Sequence, residues 1–422
     1  MTLHAHFGEI LHYLPDGRPE YFSDGLLLVD EDSGTIIECT AAQSRPDLPD
    51  HIRQTRHPNA LLMPGFIDSH CHYPQIDIMA SYGEQLLDWL NQYTFPAEAE
   101  FADAAHARAV AEFFLDELQN AGTTTAMVFA TSHPQSADAF FEAARARNMR
   151  HICGKVLMDR NAPAALLDSA RSGYANSKTL IERWHNQGRL KYAVTPRFAI
   201  TSTPEQLASA GKLLAEYPGV YLQTHLAENH AEIDFTATLF PERKSYLDVY
   251  EHYGLLGATS TFAHGIHLND AERRRLGDSG SQIAFCPSSN LFLGSGLFNL
   301  SASRALCGVS FASDIGAGNS YCMLATLAAA YQVCQLQGYA LSAHEAFYSI
   351  TQGNAQSLRL DAHIGNFNTG KEADFIALDW QATPLLARRT ARCRSLEEKL
   401  FALMMLGDDR AVKATYIAGK KV

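Results

Sequence analysis

After the first sixty residues the chain alternates between two textures. Short β-branched or apolar runs are each followed by a longer stretch whose apolar positions recur at helical spacing. The runs "ALLMPGFIDSH", "TTTAMVFA", "HICGKVLMD", "LKYAVTPRF", "VYLQTHL", "STFAHGI", "QIAFCPS" and "GVSFASD" predict strands. Between them lie helices such as "DAAHARAVAEFFLDELQNAG", rich in alanine and leucine and ended by Gly122. Helix starts are chemically signed: Thr203 with Pro204 and Gln206, Asn269 with Glu272, and Ser342 with Glu345. Eight strand signals, most followed by a helix, predict a (β/α)8 TIM-like barrel over residues 61–365. An open doubly wound sheet is the alternative, but no G-x-G-x-x-G follows the first strand.

The ends read differently. Residues 1–60 hold short strand signals with turns at "PDG", "SDG" and "DSG", and the tail from "TGKEADFIALD" to "VKATYIAGKKV" reads as strands around a short helix. Neither piece can bury a core alone, so residues 1–60 plus 366–422 are expected to pair as one small β-sandwich domain.

Composition changes this picture mainly by exclusion. The 422 residues are 46% hydrophobic and 19% charged, the balance of a globular protein. A formal net charge of −12 without a lysine or arginine run argues against nucleic acid and membrane surfaces as partners. The start lacks the basic and apolar regions of a signal peptide, and no segment is apolar for long enough to span a bilayer. Eight cysteines, at 39, 71, 153, 286, 307, 322, 334 and 393, form no C-x-x-C pair. They read as buried free thiols of a cytoplasmic protein.

The candidate chemistry lies at strand ends. In "MPGFIDSHCHYPQ", His70 and His72 are two apart and so project from one face of the strand, with Cys71 opposite. At the carboxyl end of a barrel strand they reach the mouth, where such folds do their chemistry. Two imidazoles begin a zinc site but decide little alone. His225 ends the fifth strand with Glu228 three residues on, His264 ends the sixth, and Asp314 ends the eighth. Singly, each would read as a core histidine or a capping aspartate; in barrel order they read as one metal-centred site. His4 and His6 in "LHAHFG" share the H-x-H spacing, but no strand-and-helix unit stands behind them. They read as solvated edge-strand side chains, and His267 lies too far past its strand end.

"PGFIDSHCHYPQ", "TPRF", "THLAEN", "AHGIHL", "CPSSNLFLGSG" and "SDIGAGNSYCML" resemble, in order and over nearly the whole chain, the metal-dependent amidohydrolase superfamily and within it the guanine deaminase branch. One departure is the loop after Asp314, "IGAGNS", where relatives commonly have a "VAGG"-type run. The resemblance implies one zinc per chain, with iron as the alternative ion, held by His70, His72, His225 and Asp314. It implies Glu228 as proton shuttle, Asp314 as acceptor of water's first proton, and His264 as the group that polarises the nucleophile. Gln75, Arg197 and Phe198 would line the purine pocket beside His225 and Glu228, with Arg197 donating to the purine carbonyl. Residues 81–100 are a candidate cover, with Trp89, Tyr93 and Phe95 over a flat base. The implied reaction is guanine to xanthine and ammonia, in a cytoplasmic homodimer. The alternatives are another aminated ring (cytosine, an adenosine derivative, an oxidised guanine) and a non-catalytic assembly protein. Lys155 could be a carboxylated lysine bridging two metals, but the H-x-x-E pair belongs to one-metal relatives, so a buried or salt-bridged lysine is expected. "HAE" at 230–232 mimics another zinc deaminase class without its P-C-x-x-C and reads as helix surface.

Overall fold

The computed structural model describes every residue of the chain except 1, 47, 50, 83 and 84. The chain opens with β1 (Leu3–Tyr13), β2 (Pro19–Asp30), β3 (Thr35–Ala41) and β4 (Arg53–Pro64). Barrel strands follow: β5 (Phe66–His72), β6 (Thr123–Phe129), β7 (Arg150–Gly154), the short β8 (Val156–Leu157), β9 (Lys191–Pro196), β10 (Tyr221–Leu226), β11 (Ser260–His264), β12 (Gln282–Phe285) and β13 (Gly308–Phe311). The tail adds β14 (Phe375–Asp379), β15 (Val412–Ile417) and β16 (Lys420–Lys421).

Parallel pairing runs β5-β6-β7-β9-β10-β11-β12-β13, the expected barrel order. Every residue of β6 is buried, as a strand covered on both faces requires. Helices Ala104–Asn120, Pro134–Ala146 and Pro204–Glu216 press Phe114, Phe140 and Leu207 onto the outer face. Ile67, Met127, Ile152 and Tyr221 form a separate cluster with Leu358 and Leu360. The seam between the first and last strands closes at the mouth: the Asp314 N–H donates to His70 O at 3.0 Å, and the His72 N–H to Ile315 O at 2.5 Å. Lower down, Asn354 Nδ2 donates to Ile67 O at 2.7 Å and to Phe311 O at 2.8 Å. Two ligand-bearing strand ends are thereby fixed against each other.

Both chain ends share one seven-stranded sheet, ordered β16-β15-β14-β4-β1-β2-β3. The sheet folds over, so that Leu27, Val29 and Ile36 meet Phe375, Ala377 and Tyr416 in one core. The run predicted as a single strand, "ALLMPGFIDSH", is in fact two. β4 stays in the end sheet through Pro64, and β5 enters the barrel at Phe66. Gly65 makes the crossing: a Cβ there would lie 2.2 Å from Thr124 Oγ1.

His4 and His6 are not solvated edge residues. β1 lies between β2 and β4 inside the sheet, and the two side chains are 2% and 0% exposed. His4 binds Glu31 and Thr55, each at 2.8 Å, and His6 pairs with His57 at 3.1 Å. β4 flanks β1 on one side, and Phe375 and Tyr416 of the distant tail pack edge-on against His6, which no local pattern announces. Among the described residues no helix is long and apolar enough to cross a membrane.

Candidate active site

Four predicted side chains converge at the barrel mouth. His72 Nε2 lies 3.2 Å from both His70 Nε2 and His225 Nε2. Asp314 Oδ1 lies 3.2 Å from His70 Nε2 and 3.4 Å from His72 Nε2. Donor atoms held about 2.0–2.1 Å from a tetrahedral zinc stand roughly 3.3–3.4 Å apart, which these four separations match. The donors form two triads that share His70, one with His72 and His225 and one with His264 and Asp314. Protonation fits as well. The His225 Nδ1–H donates to Arg197 O at 2.7 Å, which leaves the Nε2 lone pair facing the cluster. Burial pushes His72 down to about 3, and burial with the neighbouring histidines holds His225 well below its ordinary value. Converging lone pairs beside a carboxylate repel one another until a cation lies between them.

Backbone conformation serves the same end. The ladder between β5 and β6 slips between Asp68 and Cys71, where His70 turns to the mouth. His264, the last residue of β11, and Asp314, three residues past β13, have left-handed backbone, φ 71° and 53°. Such residues cost about 1–3 kcal/mol each and persist where the surroundings hold them. Asp68 does part of that holding, accepting from the His70 N–H at 3.2 Å, the Ser313 N–H at 3.0 Å and the Ser313 hydroxyl.

Two carboxyls with opposite tendencies face this cluster. Burial would raise Asp314, but its bonds to His70 and His72 outweigh it and hold the group well below the usual carboxylate range. Glu228 is pushed up to about 8, first by burial and then by the Asp314 charge, against the pull of a 3.0 Å bond from the Ser295 hydroxyl. His264 stands between them, its Nε2 3.3 Å from Glu228 Oε2 and 3.8 Å from Asp314 Oδ2. Its Nδ1–H donates to Asn290 Oδ1 at 2.8 Å, which fixes the ring.

A cavity of about 380 Å³ opens beside these groups. Leu86, Leu90, Phe198, Leu293 and Ala317 supply apolar walls, with Gln75 and Arg197 at the polar edge. Arg197 Nη1 donates to both oxygens of buried Glu98, at 2.8 and 2.7 Å, and Gln75 Nε2 donates to Glu98 Oε1 at 3.0 Å.

Residues 61–422 match the sequence profile of the amidohydrolase family. The chain belongs to the amidohydrolase family. It is 52% identical over 405 residues to guanine deaminase of Escherichia coli (strain K12), covering 95% of this chain and 92% of that protein. A probable guanine deaminase of Deinococcus radiodurans is 40% identical over 416 residues, covering 96% and 94%. Among solved structures, E. coli guanine deaminase superimposes with a TM-score of 0.96 over 99% of each chain, at 50% identity. Guanine deaminase from C. acetobutylicum with guanine bound in the active site gives 0.90 over the whole of both chains, at 28% identity.

In this amidohydrolase His70, His72, His225, Glu228, His264 and Asp314 meet as the strand-end pattern predicts, and Gln75, Arg197 and Phe198 line the cavity. Trp89 does not line it. It packs below the wall with Phe95, Phe129 and Phe198, while Leu86 and Leu90 of the same helical segment face the space. That segment is helical from Leu86 to Ala99 with a π turn at Leu90–Thr94. Residues 83 and 84 of the candidate cover lie outside the described residues. Lys155 is buried and spent on Val156 O and Asp168. His267 binds Ser295 O and lies tilted against exposed His230, while Cys71 is buried in the main core cluster. "HAE" is only half surface: Glu232 is buried, accepting from the Glu228 N–H at 2.9 Å and the Asn229 N–H at 3.2 Å. Of the predicted capping pairs, Asn269 with Glu272 closes in both directions. Thr203 accepts from the Gln206 N–H, but the Gln206 side chain has no partner among the described residues.

Sequence reasoning missed Glu98, Asn290 and Ser295. The last two sit inside "CPSSNLFLGSG", a segment whose likeness to relatives carried no role for either. Glu98 had no signal beyond its place in the candidate cover.

Proposed function

We propose that this chain hydrolyses guanine to xanthine and ammonia. The observation that carries the reading is one barrel mouth where His70, His72, His225 and Asp314 converge beside Glu228 and His264, bordering a cavity edged by Gln75 and Arg197. The likeness to guanine deaminases over nearly the whole chain supports the same substrate.

Zinc held by His70, His72, His225 and Asp314 supplies a Lewis acid that can lower the pKa of water from 15.7 to about 7, and the same donors accept iron. The remaining work belongs to the side chains. Hydrolysis places water's oxygen on the ring carbon that bears the amino group. One of water's protons ends on a ring nitrogen and the other leaves with ammonia. Asp314, ionised, takes the first proton of the attacking water and returns it to the departing amino group. Glu228, protonated, gives its proton to the ring nitrogen and recovers one from the new hydroxyl as the carbonyl forms. His264, held by Asn290, orients the water between the two carboxyls. Arg197 donates to the purine carbonyl, and Gln75 bonds the ring edge. Adenine carries an amino group where that carbonyl stands, so it would set donor against donor. Sites built on such bonds reject mismatched analogues by about 10⁴–10⁵.

Ammonia release from guanine, adenine and cytosine by the purified protein tests this reading. Turnover on guanine above the others is expected; silence on guanine with turnover elsewhere transfers the site to another aminated ring. Protein purified without stoichiometric zinc or iron would favour a non-catalytic scaffold. The reading extends to a homodimer in the cytoplasm, checked by light scattering and cell fractionation. It also keeps the division into a barrel and a β-domain built from both chain ends, with the first boundary moved from residue 60 to Gly65 because β4 runs through Pro64, checked by limited proteolysis.

A further inference from the structure

Glu98 is fully buried yet does not line the cavity. It lies 99 residues from Arg197 in sequence and takes both Nη1 bonds of that guanidinium. The same carboxylate accepts from Gln75 Nε2, whose Oε1 is approached by the Gly316 N–H at 3.4 Å. A chain of polar contacts therefore crosses the pocket edge from Arg197 through Glu98 and Gln75 to the loop after Asp314. Phe95 stands three residues before Glu98, on the same helix face, with its ring 5.4 Å from the Arg197 guanidinium.

We propose that Glu98 is the positioning residue through which the site recognises the purine carbonyl. The inference rests on the guanine reading above and deepens it.

Three physical points carry it. A guanidinium has five N–H donors and no acceptor, and an amide nitrogen has two donors. Glu98 spends the Nη1 side of Arg197 and one Gln75 hydrogen, so that what remains for a ligand is a row of donors alone. Such a row pairs with a ring carbonyl and rejects an exocyclic amino group. Second, guanine is neutral, and a buried guanidinium needs a counter-charge that the substrate does not bring. Glu98 supplies it before the base arrives. Third, one charge contact and one ring contact from a single helix turn leave Arg197 little freedom to rotate. A displacement of about 1 Å in a substrate-orienting group can cost 10²-fold in rate.

The test compares guanine with 2-aminopurine, which carries the amino group on the same carbon but has hydrogen in place of the carbonyl. 2-Aminopurine is followed as a substrate or, where its turnover is too slow, as a competitive inhibitor of guanine turnover. Glu98→Gln should lower kcat/KM for guanine about 10²-fold while the constant for 2-aminopurine moves less than about threefold. Metal content should stay at the unsubstituted level. Glu98→Asp, which keeps the charge one carbon short, should recover part of the discrimination. Equal losses on both purines, or unchanged preference for guanine in both variants, would overturn the proposal. Should Glu98→Gln fail to fold, Glu98→Asp decides alone: a reduced guanine preference supports the role and an intact one removes it. Absence of guanine turnover in the unsubstituted protein is a different result, since it overturns the functional reading itself.

Discussion

Glu228 and Asp314 are the same functional group given opposite tasks by their surroundings. Two histidines keep Asp314 ionised, while burial beside its charge pushes Glu228 up to about 8. Carboxyls driven apart in this way divide into base and acid. Glu228→Gln keeps the shape and removes the transferable proton, so metal should remain while kcat falls by roughly 10²–10⁴. Steady-state kinetics with metal analysis on one sample decide it; activity within a few-fold of the unsubstituted protein would reassign the shuttle. The pH profile carries the sign. A carboxyl with a raised pKa is protonated below that value and loses its proton above it. Guanine turnover should therefore hold through neutrality and fall as pH passes about 8, about tenfold per unit, and the falling limb should vanish from the residual activity of Glu228→Gln. The ligands were legible in sequence because each stands at or just past a strand end, where barrel order brings such positions to one mouth. Glu98 was not, since a helical carboxylate shows its partner only when a strand 99 residues later packs beside it.

At the scale of elements, the helix His230–Leu239 holds the acid in place. Its Asn229 cap accepts from the Ala231 N–H at 2.9 Å and gives its Nδ2–H to Gln85 Oε1 at 3.1 Å. Glu232 turns back over the helix start, accepting from the Glu228 and Asn229 N–H groups, while its other oxygen takes the Tyr246 hydroxyl at 2.6 Å. Glu232→Ala would leave buried donors without partners at about 1–3 kcal/mol. We expect a stability loss of about 2 kcal/mol in urea unfolding. With it should come a fall of about tenfold in kcat at full metal content, because a displaced group can cost up to 10²-fold. Loss of stability with kcat intact would make this capping box structural only. From sequence this stretch reads only as helix surface, because the pattern N-x-x-E is silent about burial and so about the support of Glu228. The same silence misplaced His4 and His6. Whether β1 is an edge or a centre depends on β4, some fifty residues on, and the burial of His6 depends on Phe375 and Tyr416 of the tail.

Across the whole molecule, the two ends of the barrel separate function from cohesion. All the ligands stand at the carboxyl ends of strands, as such barrels require. At the opposite end Arg150, which begins β7, and Arg189, just before β9, reach the tail. Arg150 Nε donates to Glu372 Oε2 at 2.7 Å, Arg189 Nη2 to the same oxygen at 2.7 Å, and Arg189 also to Asp374. These bonds tie the returning tail to strand starts that belong to a different sheet. Removing one partner of a buried ion pair costs about 3–5 kcal/mol, because the other charge is left without compensation. Glu372 retains 18% side-chain exposure, and Asp374 still neutralises Arg189, so Glu372→Ala belongs near the lower end, about 3 kcal/mol. Thermal and urea unfolding should register that loss in full. The kcat/KM of the folded protein should not change, since no residue of this network lines the cavity. A variant that kept its stability would show the network to be dispensable. One that lost turnover while folded would show that strain passes through the barrel from its base to its mouth, and that the two ends are not energetically separate.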